Sequence, residues 1–455
     1  MQRIAVIGSG ISGLAVAHGL KDQAQVTLFE AGAYFGGHAH TVDVTLDGVT
    51  HGVDTGFLVL NERTYPRLLK LLRELDVPIA KSEMSFSVQV PEIGLEWSGQ
   101  SLNTVFAQRR NLLRPGFWHM LADLLRFNRL ATTLASSGVG GGVSGGVSSE
   151  QNESIGSFLY RHHFSDQFRD WYLLPMLGSI WSCPVDRMLR FPIGGVVQFC
   201  HNHGLLQVRN RPQWYTVRGG AARYVEAIVA GLADARLNTP VRSVRRLGGV
   251  AGFGGVVRPQ PNTGVLITTD AGTERFDAVV MACHSDQSLA LLADPSWDEK
   301  QVLGAIRYQS NRAVLHTDTA VLPQRRNAWA ARNYERATRG ADGPAAAGVC
   351  LHYLLNRLQP LPFQRPVLVS LNPLREPHAS TVLGEYDYAH PVLDTAALAA
   401  QQRVDALQGV KQTWFCGAWT RHGFHEDGLL SGQSVCDAVL ARWGARDASL
   451  ERAAA

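Results

Sequence analysis

Ile4-Ala5-Val6-Ile7 is a short, unbroken apolar run, the pattern of a strand buried on both faces of a parallel sheet. Gly8-Ser9-Gly10-Ile11-Ser12-Gly13 follows at once, and the small and apolar residues from Leu14 to Leu20 then read as a helix. Val26-Thr27-Leu28-Phe29 predicts a second strand that ends at Glu30. Later runs predict three more elements of the same kind: strands over Asn238–Val244 and Phe276–Cys283, and a strand then a turn over Trp414–Trp419. Gly423–Gly428 reads as a polar, glycine-bracketed loop, and Leu430–Leu440 as a helix with a small face. In the middle of the chain Leu113, Phe117, Met120, Leu124 and Phe127 recur at helical spacing, with Pro115 suited to a first helical turn.

The first forty residues spell strand, GxGxxG, helix, strand, acid. Gly8 permits the tight turn, Gly10 lets a pyrophosphate approach the backbone, and Gly13 lets helix and strand pack closely. The helix N-terminus offers unpaired N–H groups to a phosphate. Glu30, twenty residues after Gly10, can accept from both hydroxyls of a ribose. The pattern predicts a dinucleotide site, and the acid favours an unphosphorylated ribose, hence FAD or NAD.

Composition narrows the class. At 455 residues, 45% apolar and 18% charged, the chain is long enough for two or three domains and too apolar to be disordered. Forty-three Lys+Arg against 39 Asp+Glu leave +4, without a basic tract for nucleic acid. No apolar run reaches the roughly 20 residues of a spanning helix. A core strand beginning at Arg3 leads us to expect no signal peptide, and six scattered cysteines without a CxxC argue against a disulfide framework or zinc site. The cytoplasm is the expected compartment. The histidine pairs His38/His40, His162/His163 and His201/His203 lack a third ligand, so no metal is expected.

A second glycine pair, Gly36-Gly37, stands six residues after Glu30 and is followed by His38. It resembles the pair that lies against the FAD pyrophosphate in the flavin amine oxidase, protoporphyrinogen oxidase and phytoene desaturase superfamily, where Arg often follows the pair. The resemblance extends through Arg218-Gly219-Gly220, the strand around Val241 whose backbone touches adenine in that family, the Phe276–Cys283 return strand, and the C-terminal strand and helix. It implies an α/β fold, a Rossmann-like FAD-binding domain of the amine-oxidase type interleaved with a mixed α+β substrate domain. Residues 1–75, 210–300 and 405–445 would form the first, and 76–209 and 301–404 the second. A flexible Gly/Ser loop is expected over 136–149 and a fraying tail over 446–455. The implied cofactor is non-covalent FAD, held by Gly8, Gly10, Gly13, Glu30, Gly36, Gly37, His38, Val241, Gly417, Asp427, Gly428 and Leu429.

Three family features are missing. Amine oxidases commonly place a lysine near flavin N5 on the strand after the return, and Arg307–His316 contains none. Phe424 stands where they often carry a cage tyrosine, and no SGGC-type cysteine for flavin attachment is present. His425-Glu426-Asp427 is the most polar group expected at the ring edge. Two readings stand: His425 and Glu426, beside Phe424, as a catalytic group that moves a proton, or Glu426 and Asp427 as helix caps oriented by His425.

A closer resemblance is carried by Asn202-His203-Gly204-Leu205-Leu206-Gln207, Arg211-Pro212-Gln213-Trp214, Tyr353–Gln359, Ser370-Leu371-Asn372-Pro373 and His390-Pro391. This set is similar to bacterial FAD-dependent proteins encoded beside cyclopropane-fatty-acid synthases, and to the domain fused in front of the plant cyclopropane synthases. It implies dehydrogenation of an unsaturated or methyl-branched fatty acyl chain, still carried on a phospholipid, and functional pairing with a cyclopropane-fatty-acid-synthase-like methyltransferase. A flavin oxidase of a small amine or amino acid, and an FAD-bearing non-catalytic partner of a lipid-modifying enzyme, are the alternatives. For residues 105–130, whose arginines surround the apolar stripe with Trp118 beside it, a core-facing helix and a membrane-surface helix at the inner face of the membrane both remain open.

Overall fold

The computed structural model describes residues 1–138, 153–181, 185–207, 211–247, 263–337 and 349–454. Arg3–Ile7 forms the centre of a five-stranded parallel sheet in the order Asp234–Arg236, Gln25–Phe29, Arg3–Ile7, Ala278–Met281, Thr413–Phe415. A strand in this position has a layer on each face, which is why Ile4 to Ile7 are all apolar and buried. The sheet draws its strands from three distant parts of the chain. A three-stranded antiparallel meander, Val241–Leu247, Gly264–Thr269 and Gly272–Phe276, packs beside it.

Ile11–Leu20 lies against the C-terminal helix, His425–Ala454, and small residues set their approach. A Cβ on Gly428 would stand 2.7 Å from Ile11 Cγ2, one on Gly19 2.8 Å from Cys436 Sγ, and one on Gly432 would run into the Ser12 carbonyl. The C-terminal helix starts at His425, five residues earlier than the apolar pattern predicts, because Asp427 Oδ2 accepts the Phe424 N–H at 3.0 Å and closes its first turn. It continues through Ala454, where a fraying tail was expected.

A seven-stranded sheet forms the second layer system, in the order Val382–Val392, Arg307–His316, Leu368–Leu371, Cys350–Leu354, Arg332–Glu335, Phe86–Val90, Leu95–Ser98. Only the Arg332–Glu335 and Phe86–Val90 pair is parallel. Helices including Pro115–Gly138 and Ile193–Asn202 share one apolar core with this sheet.

Pro115 opens its helix as the sequence predicts, and Phe117, Met120 and Phe127 are buried. The stripe is therefore core-facing. Leu113 departs from it: it sits in a 3₁₀ turn, Arg109–Leu113, and is 86% exposed. Arg126 pairs with Asp123 at 3.0 Å, while Arg110 and Arg114 donate to the carbonyls of Gly94 and Ile93. Among the described residues no helix is long and apolar enough to cross a membrane. The Gly/Ser segment lies, from residue 139, outside the described residues.

Candidate active site

The glycine motif folds as a cradle. Gly8 has φ +101°, and a Cβ there would come within 3.0 Å of the Ala282 carbonyl. Gly10 ends the loop as the N-cap of Ile11–Leu20, which no side chain caps, and a Cβ on Gly10 would meet nothing within 4 Å. The N–H groups of that first turn thus face open space, as anion binding requires. Gly36 bridges to Gly10, and the Gly36 N–H donates to the Ser9 carbonyl at 3.1 Å, which brings the second glycine pair against the first. Glu30 Oε2 accepts from the Ser9 N–H at 3.0 Å and the Ser9 hydroxyl at 2.5 Å, and Oε1 from the Gly32 N–H at 2.8 Å. Glu30 is held in place by the loop itself, and Oε1, with one donor, keeps a lone pair for a ribose hydroxyl.

In front of this cradle runs a cavity of about 690 Å³, lined by Gly8, Gly10, Glu30, Gly36, Gly37, His38, Val241, Gly417, Phe424 and His425 among others. That volume falls within the roughly 300–1,000 Å³ of small-molecule and cofactor sites. His38 is half-buried there, and its buried Nε2 finds no partner among the described residues, so a ligand acceptor or donor is needed to satisfy it. The uncapped helix, the open face of Gly10, the held Glu30 and the orphaned His38 together fit a dinucleotide.

Four residues assigned to the cofactor from sequence do not line the cavity. Gly13 packs under Gly8, and Gly428 packs on Ile11 and Ser12. Leu429 is core, and Asp427 is spent on the helix start. Glu426 is corrected likewise as a catalytic residue: its oxygens accept the N–H groups of Arg67 and Leu68 at 2.9 and 3.0 Å, capping Pro66–Glu74 instead of facing the cavity. Spacing places both acids near the ring, but only the helix phase decides which way they turn.

His425 does reach the cavity. Its ring stacks on Phe57 with centroids 3.9 Å apart, and Nε2 lies 2.6 Å from the Tyr224 hydroxyl. Burial lowers its pKa to about 3, so the imidazole is neutral at pH 7. Burial also lowers His390 to about 4 and His38 well below the ordinary value, in both cases with help from neighbouring histidines. His284, stacked on Tyr308 at 4.3 Å, is lowered by burial too.

A second chamber of about 190 Å³ adjoins this cavity. Gly56, Phe57, Tyr65, Ile180 and Phe424 line both and form the neck between them. Beyond the neck the walls are mainly apolar, with Leu58, Val59, Met84, Phe199, Leu205 and Leu358. Among the described residues neither lysine nor carboxylate lines the chamber. His203, in its wall, has Nδ1 3.0 Å from the Phe199 carbonyl, which makes Nδ1 the protonated nitrogen and leaves Nε2 a free acceptor. Burial lowers its pKa to about 4.

Sequence reasoning missed Phe57, Tyr65, Tyr308, Arg332 and the role of His390, because each comes from a different element and carries no local motif. Outside the cavity, Glu335, Cys350 and His352 bring their ligand atoms within 4.8 Å of one another on the large sheet, a grouping that none of the histidine pairs announces. Burial opposes charge on His352, but Cys350 and Glu335 outweigh it and lift its pKa to about 9.

Comparison with known proteins gives three results. A family model for flavin-containing amine oxidoreductases matches residues 11–370. A carotenoid phi-ring synthase from Streptomyces griseus is 28% identical over 309 residues, 64% of this chain and 54% of that protein; the chain therefore spans about half the length of this curated relative. Among solved structures, a CLA-producing fatty acid isomerase from P. acnes superposes with a TM-score of 0.64 at 15% identity, over 97% of this chain and 98% of its own. A cyclohexylamine oxidase from Brevibacterium oxydans IH-35A gives 0.64 at 15% identity, over 97% and 99%. At such identities the two structures share the fold with this chain.

Proposed function

The chain belongs to the flavin-containing amine oxidoreductase family and takes FAD as its cofactor; from that premise we propose that it dehydrogenates an apolar acyl substrate, an unsaturated or methyl-branched fatty acyl chain, and not a small amine. The observation that supports this reading is the apolar chamber behind the Phe57 and Phe424 neck, which offers an ammonium group neither a carboxylate nor a lysine-held water.

Gly10 and the N-terminus of Ile11–Leu20 would hold the pyrophosphate, Glu30 the ribose and Val241 the adenine. When bound, FAD supplies a two-electron acceptor for a hydride leaving the substrate. The protein's part is to orient the acyl chain past Phe57 and Phe424 and to exclude water from it. His203 Nε2, unprotonated at neutral pH, takes the proton that leaves the neighbouring carbon.

Anaerobic mixing of the FAD-loaded protein with unsaturated acyl compounds and with amines tests this. Loss of oxidised-flavin absorbance with acyl compounds alone is expected. Bleaching by amines alone would overturn the substrate class, and no bleaching by either would favour a non-catalytic partner of a lipid-modifying enzyme. Delivery from an anionic bilayer, through exposed Leu102, Leu113 and Trp118 beside Arg109, and pairing with a cyclopropane-fatty-acid-synthase-like methyltransferase belong to the same proposal.

A further inference from the structure

Among the described residues two arginines, Arg246 and Arg332, are less than a tenth exposed, and they are treated oppositely by their surroundings. Arg246 is held between Asp294 at 2.9 Å and Glu299 at 2.5 Å. Arg332 is 8% exposed, its Nε has no hydrogen-bond partner, and among the described residues no carboxylate lies within ion-pair distance of it. Its guanidinium carbon lies 5.9 Å from the centre of the Phe86 ring, and the Tyr353 phenol is the ionisable group that interacts with it. A guanidinium cannot shed its proton to escape burial, so a buried, unpaired one is sustained only if an anion joins it.

Arg332 lines the apolar chamber and not the cofactor cavity, so it lies beyond the neck. Tyr353 is its direct register partner on the neighbouring antiparallel strand, lines the same chamber, and makes no side-chain hydrogen bond among the described residues. A guanidinium fork and a phenol hydroxyl side by side offer planar donors to one small acceptor group, and a carboxylate matches them bidentately. A phosphate would bring more charge and more acceptor oxygens than two donors in a chamber of about 190 Å³ can satisfy.

We propose that Arg332, with Tyr353, receives the carboxylate of the substrate, so that the molecule entering from the neck is a free carboxylic acid with an apolar body. This rests on the acyl reading above and narrows it: an acyl chain esterified in a phospholipid has no such group. It also adds a reason why an ammonium would be refused, since the cation in the chamber repels it.

The test is calorimetric titration of the FAD-loaded protein with octanoate, octan-1-ol and octylamine. Octanoate should bind more tightly than octan-1-ol, and octylamine should bind least. Arg332→Met should weaken octanoate by roughly tenfold or more, leave octan-1-ol unchanged, and abolish the rise in melting temperature that octanoate gives the parent. Arg332→Lys should recover part of the affinity. FAD content and ligand-free melting temperature of Arg332→Met should be unchanged or raised, because an uncompensated buried charge has been removed. Equal binding of octanoate and octan-1-ol by the parent would overturn the proposal. So would a fall in FAD content or ligand-free stability in Arg332→Met, which would make Arg332 structural. The two readings fail separately: binding of octanoate without any flavin reduction by acyl compounds removes the dehydrogenase reading alone, and reduction by acyl esters without carboxylate preference removes the Arg332 site alone.

Discussion

The Tyr224 hydroxyl lies 2.6 Å from Nε2 of His425, whose ring is stacked on Phe57. The pair ties the helix that follows the Arg218-Gly219-Gly220 turn to the first residue of the C-terminal helix, across the cavity wall. With Nε2 held by the Tyr224 hydroxyl, His425 is placed as an anchor of the cavity wall and not as the group that moves a proton. We expect His425→Asn to reduce its flavin at a rate well short of the roughly 10²–10⁴-fold loss that follows removal of a general acid or base. Tyr224→Phe should cost about 1–3 kcal/mol by leaving the imidazole unpaired. Stopped-flow reduction per bound flavin, together with urea unfolding, separates the two effects.

His203 is the contrasting case. His203 lines the chamber with Nδ1 engaged by the Phe199 carbonyl, so His203→Phe should slow anaerobic flavin reduction by roughly 10²–10⁴ with FAD occupancy unchanged. A near-parental rate would remove it from the reaction.

The buried histidines set an acid limit. His203 and His390 are lowered to about 4 and His425 to about 3 in the fold, against 6.5 unfolded. As pH falls below 6.5 the unfolded chain binds protons that the native state refuses, so stability falls in the window from about 6.5 down to 4, and for His425 on to 3. At pH 5 each group contributes about 2 kcal/mol of destabilisation. Asp54, raised to about 6 by burial against the pull of Thr41, Ala221 and Gln359, has the opposite sign. It regains stability as pH falls from 6 to 3.8, in the same direction as Glu426 and Asp427, which burial also raises, but against the larger set of lowered histidines, to which His316 at about 4 belongs. Melting temperatures at pH 7.5, 6 and 5 should drop in that order, and His390→Asn should flatten the slope.

Two glycines should respond differently to alanine. At Gly10 the Cβ meets no protein atom, so Gly10→Ala should leave ligand-free stability unchanged while weakening FAD, whose pyrophosphate needs that space. At Gly432 the Cβ meets the Ser12 backbone and Ala15 Cβ at 2.8 Å, so Gly432→Ala should force the two helices apart and cost about 1–3 kcal/mol. FAD fluorescence titration and thermal melts read the two outcomes independently.

Acid precipitation should release all the flavin. Cys283 lines the cavity, but burial lifts its pKa to about 11 and keeps it a thiol, poorly suited to attack. Flavin retained in the pellet would point to Cys283.

Anionic liposomes should retain the protein at low salt, and Leu113→Ser with Trp118→Ser should release it, since Phe117 and Met120 are already buried in the core. No co-sedimentation of the parent at low salt would remove the bilayer from the proposal.

Much of the cofactor site is legible in the sequence because its chemistry is backbone chemistry at fixed spacing. The apolar run Ile4–Ile7, Gly8 and Gly10, Glu30 and the Gly36-Gly37 pair act through turns and close approaches that local residue identity dictates. The same holds for Val241, which opens a strand, and for Gly417, in the turn just after the strand Thr413–Phe415. The catalytic end follows other rules. Whether Glu426 faces the cavity or caps Pro66–Glu74 depends on where the C-terminal helix starts and on its rotation against Ile11–Leu20, which Gly428 and Gly432 set. The apolar stripe after Pro115 reads equally as core or membrane face until the seven-stranded sheet covers it. Arg332 and Tyr353 are ordinary strand residues in the sequence, twenty-one positions apart; antiparallel register puts them side by side, and burial without an acid makes the arginine demand an anion. Sequence determines what each residue offers and what its neighbours in the chain permit, whereas desolvation and pairing across distant segments exist only once the layers have packed.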